Sequence, residues 1–201
     1  MIYFIRRSFE SDNDKAIHKK ELKSSVNGWL KSTFLPLGVN YCEEELCYNR
    51  YGKPYLKNCE DLFFNLSHCH ELAVCIIENC EVGIDAENIR QWHPRVARRV
   101  FSDREMKLLN DSENKNEIFF RIWTLKESFV KALGIGISYP MKSCEFILHN
   151  SNIKAYGCDG YSFSQIMLND KFICSVCTKR NHKNSFYRVW EDKMSFQLEL
   201  T

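Results

Sequence analysis

The sequence lacks a long apolar segment, since no hydrophobic run approaches the roughly 18 residues that a membrane-spanning helix requires. From Met1 to Phe9 a short apolar stretch precedes Arg6 and Arg7, which is the wrong order and length for a secretory signal. Neither sign of charge dominates, because 28 basic residues face 26 acidic ones and the net charge is +2. A chain built to bind nucleic acid is usually far more basic. We therefore expect a cytoplasmic protein with no membrane or nucleic-acid partner and only local phosphate recognition.

Low-complexity tracts, long Pro/Gly linkers and repeats of fixed period are also missing. The chain of 201 residues is 44% hydrophobic, which is enough to bury a core in one domain or in two intimate half-domains. Pro94 and the charged segment 87–99 mark a boundary. We therefore expect an N-terminal half over 1–88 and a C-terminal half over 89–201.

A zinc-binding set of cysteines is not apparent, although the chain has ten cysteines. Only Cys174 and Cys177 have C-x₂-C spacing, and no second pair completes a tetrahedral site. These two fall in a predicted strand, where residues three apart point to opposite faces. The adjacent His68, Cys69 and His70 would need an unusual loop to reach one ion. We expect the cysteines to be mostly small buried hydrophobes in a reducing compartment.

Hydrophobic patterning predicts a mixed α+β chain with antiparallel sheet in its second half. The strands are predicted at 2–6, 63–66, 72–77, 82–87, 154–156, 163–168, 171–178 and 185–190. We expect 82–87 to pair with 72–77. Helices are predicted within 14–34, from a capping box at Ser102 and Glu105 through Leu109, and over 115–133 with Gly134 as its stop.

Two carboxylates lie on one face of the predicted strand 82–87. Asp85 and Glu87 are two residues apart, whereas Ile84 and Ala86 point the other way. Neighbouring carboxylates repel each other unless a cation sits between them, which makes the pair a candidate site for a hard metal ion. Taken alone, however, a D-x-E pair is more often a solvated strand edge.

The long predicted helix carries Trp123, Glu127 and Lys131 along one side, at spacings of four residues. An ordinary surface ion pair between Glu127 and Lys131 would contribute only about 0.3–0.5 kcal/mol. That interpretation explains the two charges but not their combination with the preceding segments. Lys126 is rotated about 100° from Glu127 on a helix, so we assign it a supporting role.

Five segments follow one another between about residues 50 and 140. They are Arg50-Tyr-Gly-Lys-Pro54, Phe64-Asn-Leu-Ser-His68, Val82-Gly-Ile-Asp-Ala-Glu87, Phe101 with Glu105, and Trp123-Thr-Leu-Lys-Glu-Ser128 with Lys131 and Gly134. Each segment is a weak signal alone, but the ordered set is specific. In order and spacing it resembles the Sfp-type 4′-phosphopantetheinyl transferase family.

The resemblance implies a monomeric pseudo-dimer of two similar α+β halves, with the active site in the cleft between them. It implies transfer of the 4′-phosphopantetheine arm of coenzyme A to a serine of an acyl or peptidyl carrier protein, releasing adenosine 3′,5′-bisphosphate. By match, Asp85, Glu87 and Glu127 hold Mg²⁺, for which Mn²⁺ can substitute, and Lys131 offsets phosphate charge. Glu127 is also the family's candidate general base, and a metal-bound water is the alternative.

The same resemblance assigns the contacts to coenzyme A. Ser67 and His68 match the position that contacts its phosphates, and Arg50 would reach the 3′-phosphate. The turn that lies against the adenine, largely through its backbone, matches Gly52, Lys53 and Pro54. The first 40 residues fit the family less well, and no single lysine there can be assigned to the 3′-phosphate: the choice lies among Lys19, Lys20, Lys23 and Lys31.

The charged segment after the carboxylate strand is either a docking surface for an acidic carrier protein or a plain solvated connector. Its basic residues are Arg90, Arg95, Arg98 and Arg99. Two rival functions also stay open. One is a non-catalytic paralogue that binds coenzyme A or a carrier, which would not need to retain all three carboxylates. The other is an unrelated metal-dependent phosphoesterase, which would act without a carrier.

Overall fold

The structure is a computed structural model that describes residues 2–6, 46–57, 59–69, 72–149, 152–179, 186–191 and 194–199. For 2–6, 186–191 and 194–199 the description covers the backbone alone, and it also omits the side chain of Ile137. The helix predicted within 14–34, with its four lysines, lies outside the described residues. So do Cys42 and His70.

Strands and helices mix along the described chain, which confirms the predicted α+β class. The strands are β1 (Ile2–Arg6), β2 (Leu46–Tyr48), β3 (Pro54–Leu56), β4 (Phe63–Cys69), β5 (Leu72–Glu78), β6 (Val82–Asn88), β7 (Glu145–His149), β8 (Asn152–Tyr156), β9 (Tyr161–Leu168), β10 (Phe172–Lys179), β11 (Phe186–Glu191) and β12 (Met194–Glu199). The helices are α1 (Pro94–Val100), α2 (Asp103–Asp111) and α3 (Lys115–Leu133). None of the helices described is both long enough and apolar enough to cross a membrane.

Local signals fix the helix ends. Ser102 and Glu105 form the predicted capping box at the start of α2. The side chain of Asn114 accepts a hydrogen bond from the Glu117 amide to begin α3, and Gly134 ends α3 with a φ of 66°. The predicted bounds of α3 are therefore confirmed. In contrast, α1 begins at Pro94, a favourable first residue for a helix, where the sequence suggested only a boundary.

Two sheets position the carboxylate strand. The larger has the order β12-β11-β1-β5-β4, and the smaller has the order β6-β10-β9. The predicted pairing of 72–77 with 82–87 is wrong, because β5 is hydrogen-bonded on its two edges to β1 and β4, while β6 pairs with β10. The smaller sheet joins strands from both sides of the predicted division at residue 88. That division, and the likeness of the two halves, stay predictions.

The smaller sheet lies between two apolar clusters. On one face, β10 residues Ile173 and Cys177 pack with α3, including its Phe120, Ile122, Leu125 and Phe129. On the other face, Ile84 and Cys174 pack with Val74 and Ile76 of β5. Cys174 and Cys177 thus lie on opposite faces, as predicted. Most described cysteines are buried, which confirms their predicted packing role: Cys69, Cys75, Cys144, Cys158, Cys174 and Cys177.

The helix α3 lies very close to the backbone of β6 at Gly83. A Cβ atom added to Gly83 would lie 2.0 Å from the carbonyl oxygen of Ser128 and 2.3 Å from the amide nitrogen of Ala132. Only glycine allows such an approach of a helix to a strand. This contact fixes the distance between the carboxylates of β6 and the polar residues of α3.

Candidate functional site

Asp85 on β6 and Lys131 on α3 form the centre of the site. The Lys131 Nζ donates to Asp85 Oδ1 over 2.6 Å, and the Ser67 hydroxyl donates to the same oxygen over 2.9 Å. Asp85 is only 5% exposed, because it lies on the face of β6 that α3 covers. The fold therefore brings Asp85 and Lys131, which are 46 residues apart in sequence, into direct contact.

The other oxygen of Asp85 is buried and has no hydrogen-bond partner among the described residues. A buried carboxylate oxygen without a partner is costly, so this atom is available to a ligand. A hard cation is the natural partner of such an oxygen. The sequence could not show this feature, because it depends on how α3 and β4 enclose the strand.

Glu127 lies near the same carboxylates. Burial raises the pKa of Glu127 to about 7; the charge of Asp85 raises it next, Lys131 lowers it, and Glu87 adds a smaller rise. Three carboxylates, those of Asp85, Glu87 and Glu127, therefore share this part of the molecule with two cationic side chains, Lys131 and Arg90. A bound cation would relieve the repulsion between the carboxylates, which fits the donor chemistry of three carboxylates.

Glu87 departs from the predicted arrangement. Its Oε2 accepts a hydrogen bond from Arg90 Nη1 over 2.7 Å. Within the described part of the chain, no three His, Cys, Asp or Glu side chains are grouped closely enough to hold a metal ion. Asp85 is thus paired with Lys131 and Glu87 with Arg90, while Glu127 lies within the electrostatic influence of Asp85, Lys131 and Glu87.

Two side chains of β4 take the place of a strand along the free edge of β6. The Asn65 Oδ1 accepts from the amide of Ile84 over 2.9 Å, and the Ser67 Oγ accepts from the amide of Ala86 over 3.2 Å. These bonds fix the backbone on both sides of Asp85. The sequence analysis missed Asn65, although the N-x-S spacing that puts both side chains on one face was visible.

The two predicted phosphate contacts on β4 have different surroundings. Ser67 is 8% exposed, and its hydroxyl also accepts from Lys131 Nζ over 2.9 Å. That hydroxyl therefore donates one hydrogen bond, to Asp85, and accepts two, from the Ala86 amide and from Lys131. His68 is exposed, on the opposite face of the strand. Of the two, His68 is the better placed to reach a ligand from solvent.

The turn between β2 and β3 is fastened to the end of α3. The Asn49 Nδ2 donates to the carbonyl of Gly134 over 2.8 Å, while its Oδ1 accepts from the amides of Tyr51 and Lys53. Gly52 has a φ of +87°, which a glycine adopts without strain. Asn49, which the sequence analysis did not single out, therefore positions the whole turn.

Lys53 points into the protein instead of toward a ligand. Its Nζ donates to the carbonyl of Val82 over 3.0 Å and to that of Ala132 over 2.8 Å. Burial lowers the pKa of Lys53 to about 8. A ligand at this turn would therefore meet the backbone of Lys53 and not its ammonium group. Arg50 is exposed, with its guanidinium 4.6 Å from the ring centre of Tyr51.

A cavity of about 510 Å³ opens beside this turn, at the C-terminal end of α3. Its volume is in the range of small-molecule sites. The walls combine apolar, aromatic and charged side chains, among them Asn49, Lys53, Pro54, Leu62, Phe63 and Glu81, and residues 132–134. Residues 132–134 follow Lys131 on α3, but Asp85, Glu127 and Lys131 do not line the cavity.

Lys126 has a structural role, as its predicted rotation away from Glu127 indicated. It is fully buried, and its Nζ lies 2.9 Å from Glu105 Oε2 and 2.7 Å from the carbonyl of Met141. Glu105 in turn accepts from the amide of Phe146. This buried ion pair joins α3 to α2 and β7 beneath the site.

Basic residues cover the outer side of α1. Arg95, Arg98 and Arg99 are exposed, whereas Ala97 and Val100 are buried against the core. Both predicted interpretations, a docking surface and a solvated face, agree with this exposure. Arg90 lies outside the helix and belongs with Glu87.

Comparisons with known proteins point to one family. Residues 81–177 match the sequence model of the 4′-phosphopantetheinyl transferase superfamily. The chain is 39% identical over 129 residues to 4′-phosphopantetheinyl transferase gsp of Aneurinibacillus migulanus, covering 62% of this chain and 54% of that protein. It is 35% identical over 101 residues to 4′-phosphopantetheinyl transferase Sfp of Bacillus subtilis, covering 49% and 45%. The resemblance predicted from five segments is confirmed.

The chain spans about half the length of the curated relatives it matches. Among solved structures, the holo-[acyl-carrier-protein] synthase of Thermotoga maritima matches with a TM-score of 0.44 and 21% identity. That match covers 53% of this chain and 67% of the other.

Proposed function

We propose, from the premise that residues 81–177 belong to the 4′-phosphopantetheinyl transferase superfamily, that this chain transfers 4′-phosphopantetheine from coenzyme A to a serine of an acyl or peptidyl carrier protein. One observation carries the proposal: inside the matched segment, α3 holds Lys131 on Asp85 and Glu127 beside them. The second product is adenosine 3′,5′-bisphosphate. We further propose that the protein acts as a cytoplasmic monomer.

The carboxylates would hold Mg²⁺, with Mn²⁺ as a substitute. The unpartnered oxygen of Asp85 and the raised pKa of Glu127 both favour a cation there. Glu87 completes the set once its carboxylate leaves Arg90. When bound, the ion supplies positive charge to the diphosphate of coenzyme A.

The chain's own residues supply the remaining steps. Glu127 accepts the proton of the carrier serine as general base. The serine oxygen then forms a bond to the phosphorus of the pantetheine phosphate, and the bond from that phosphorus to the bridging oxygen breaks. Lys131 stabilises the negative charge that develops on the phosphate oxygens, and Ser67 orients Lys131 and Asp85 for that role.

The adenine end of coenzyme A would lie at the turn between β2 and β3. The backbone of Gly52, Lys53 and Pro54 would contact the base, since the Lys53 side chain is held by Val82 and Ala132. The adjoining cavity offers room for a nucleoside, and exposed Arg50 would reach the 3′-phosphate. His68 and Lys131 would contact the diphosphate between this turn and the carboxylates.

An acidic carrier protein would dock on the exposed arginines of α1. Reversing two of them, as Arg98→Glu with Arg99→Glu, is expected to raise the carrier KM several-fold, with little change in kcat and a weaker salt dependence. A matched double reversal at exposed Lys107 and Lys154 should leave the carrier KM unchanged. If the Arg98→Glu, Arg99→Glu variant had the carrier KM of the wild type and that KM did not change with salt concentration, the docking proposal would be wrong.

The transfer itself is tested by mass spectrometry. The protein is incubated with coenzyme A, Mg²⁺ and several apo carriers, and each carrier is then weighed. We expect an added phosphopantetheine group on at least one carrier serine. Binding of coenzyme A without any adduct would favour the non-catalytic paralogue, and hydrolysis of phosphate esters without a carrier would favour the phosphoesterase. Either result overturns the proposal.

A further inference from the structure

Arg90 makes a close ion pair with one member of the carboxylate set. Its Nη1 lies 2.7 Å from Glu87 Oε2, and the side chains are 44% and 22% exposed. An arginine–carboxylate hydrogen bond of this length is of the strong, charge-assisted kind. Glu87 therefore already has a cationic partner on its own segment, three residues along the chain.

Other contacts hold Arg90 in this position. The same Nη1 donates to the Asn88 carbonyl over 3.1 Å and to Asn88 Oδ1 over 3.0 Å. The guanidinium carbon lies 4.7 Å from the ring centre of Phe120, which is almost fully buried on α3. Contact with an aromatic face restrains a guanidinium group. Arg90 is thus an anchored side chain with limited freedom to turn away from Glu87.

Phe120, the aromatic residue that Arg90 contacts, lies toward the opposite end of α3 from Lys131. Phe120 precedes Glu127 by seven residues, which is about 10 Å along a helix axis, and Lys131 follows Glu127 by one further turn. Asp85 pairs with Lys131 of α3, whereas Glu87 pairs with Arg90, whose guanidinium group contacts Phe120. The two carboxylates of β6 therefore have different cationic partners.

We infer that Arg90 is a positioning residue that lowers the affinity of the carboxylate site for divalent cations, by occupying the Glu87 carboxylate. The inference rests on the proposed function. A divalent cation must compete with the guanidinium group for the Glu87 carboxylate. Arg90 therefore sets how much free metal the site requires, without contacting the reacting atoms.

Titration with Mn²⁺, with unbound ion followed by electron paramagnetic resonance, tests this role on the full chain without carrier or coenzyme A. Arg90→Met keeps the length of the side chain and removes the charge, so Mn²⁺ should bind roughly threefold to tenfold more tightly than to the wild type. Arg90→Lys, which keeps a charge but loses the planar donor geometry, should fall between them. Arg104→Met is the matched control, because Arg104 pairs with Glu145 on another element.

Three results would overturn the role of Arg90: equal or weaker Mn²⁺ binding by Arg90→Met, the same tightening in the Arg104 control, or no Mn²⁺ binding by any variant. The wild-type transfer assay separates this inference from the proposed function. If the wild type transfers phosphopantetheine but Arg90→Met binds Mn²⁺ with the wild-type affinity, only the inference about Arg90 is wrong. Tighter Mn²⁺ binding by Arg90→Met without wild-type transfer defeats the proposed function alone.

Discussion

Replacing Glu127 with glutamine is expected to lower kcat for phosphopantetheine transfer by at least about a hundredfold, since under the proposed mechanism the change removes both a proton acceptor and a cation ligand. Glutamine keeps the size of the side chain but neither accepts the serine proton nor carries the charge. The measurement is the rate of carrier modification at saturating coenzyme A. Turnover near that of the wild type would contradict the role of Glu127.

The loss should not come from unfolding. Because the pKa of Glu127 is raised from 4.5 to about 7, the folded chain holds a proton that the unfolded chain releases between these values. The contribution of Glu127 to stability therefore falls as the pH rises through this range, and glutamine lacks that dependence. Without divalent cations at pH 8, Glu127→Gln should melt at the wild-type temperature or above it. Glu117→Gln, near the start of the same helix, should keep wild-type transfer.

Replacing Gly83 with alanine is expected to lower the free energy of unfolding by about 3 kcal/mol or more. The added methyl group would overlap the Ser128 carbonyl and the Ala132 amide, which are backbone atoms of a rigid helix and cannot turn aside. Urea unfolding followed by circular dichroism measures the change. A variant that accumulates only as insoluble protein would be the extreme form of the same result.

Gly160→Ala is the matched control for this change. Gly160 has a φ of +81°, and nothing lies within 4 Å of an added Cβ. Alanine there should cost only about 1 kcal/mol, from backbone strain without a clash. If Gly83→Ala were no more destabilising than Gly160→Ala, the close approach of α3 to β6 would be wrong.

Features that depend on neighbouring residues were predictable from the sequence. The helix α3 was predicted with its observed bounds, because its core stripe and its glycine stop are local signals. Strand alternation placed Asp85 on the same face as Glu87, and helix periodicity placed Glu127 on the same side as Lys131. The convergence of the two elements came from the family resemblance, not from periodicity.

Features that depend on distant parts of the chain were not predictable. The apolar run in β5 showed that the strand is buried, but not that β1 and β4 occupy its two edges. The inward direction of Lys53 depends on where α3 ends, some 80 residues later. The partner of Glu87, in contrast, could have been predicted locally, because Arg90 follows it by only three residues. The sequence analysis assigned Arg90 to the docking surface instead.

The bonds from Asn65 and Ser67 to the edge of β6 bear on which changes of chain length the protein tolerates. They form because both side chains lie on one face of β4, in step with the amides of Ile84 and Ala86. Inserting or deleting one residue before Asn65 within β4 would turn both side chains to the other face. Relatives of this protein should therefore vary in length within the loops around β4 and keep the strand itself free of gaps.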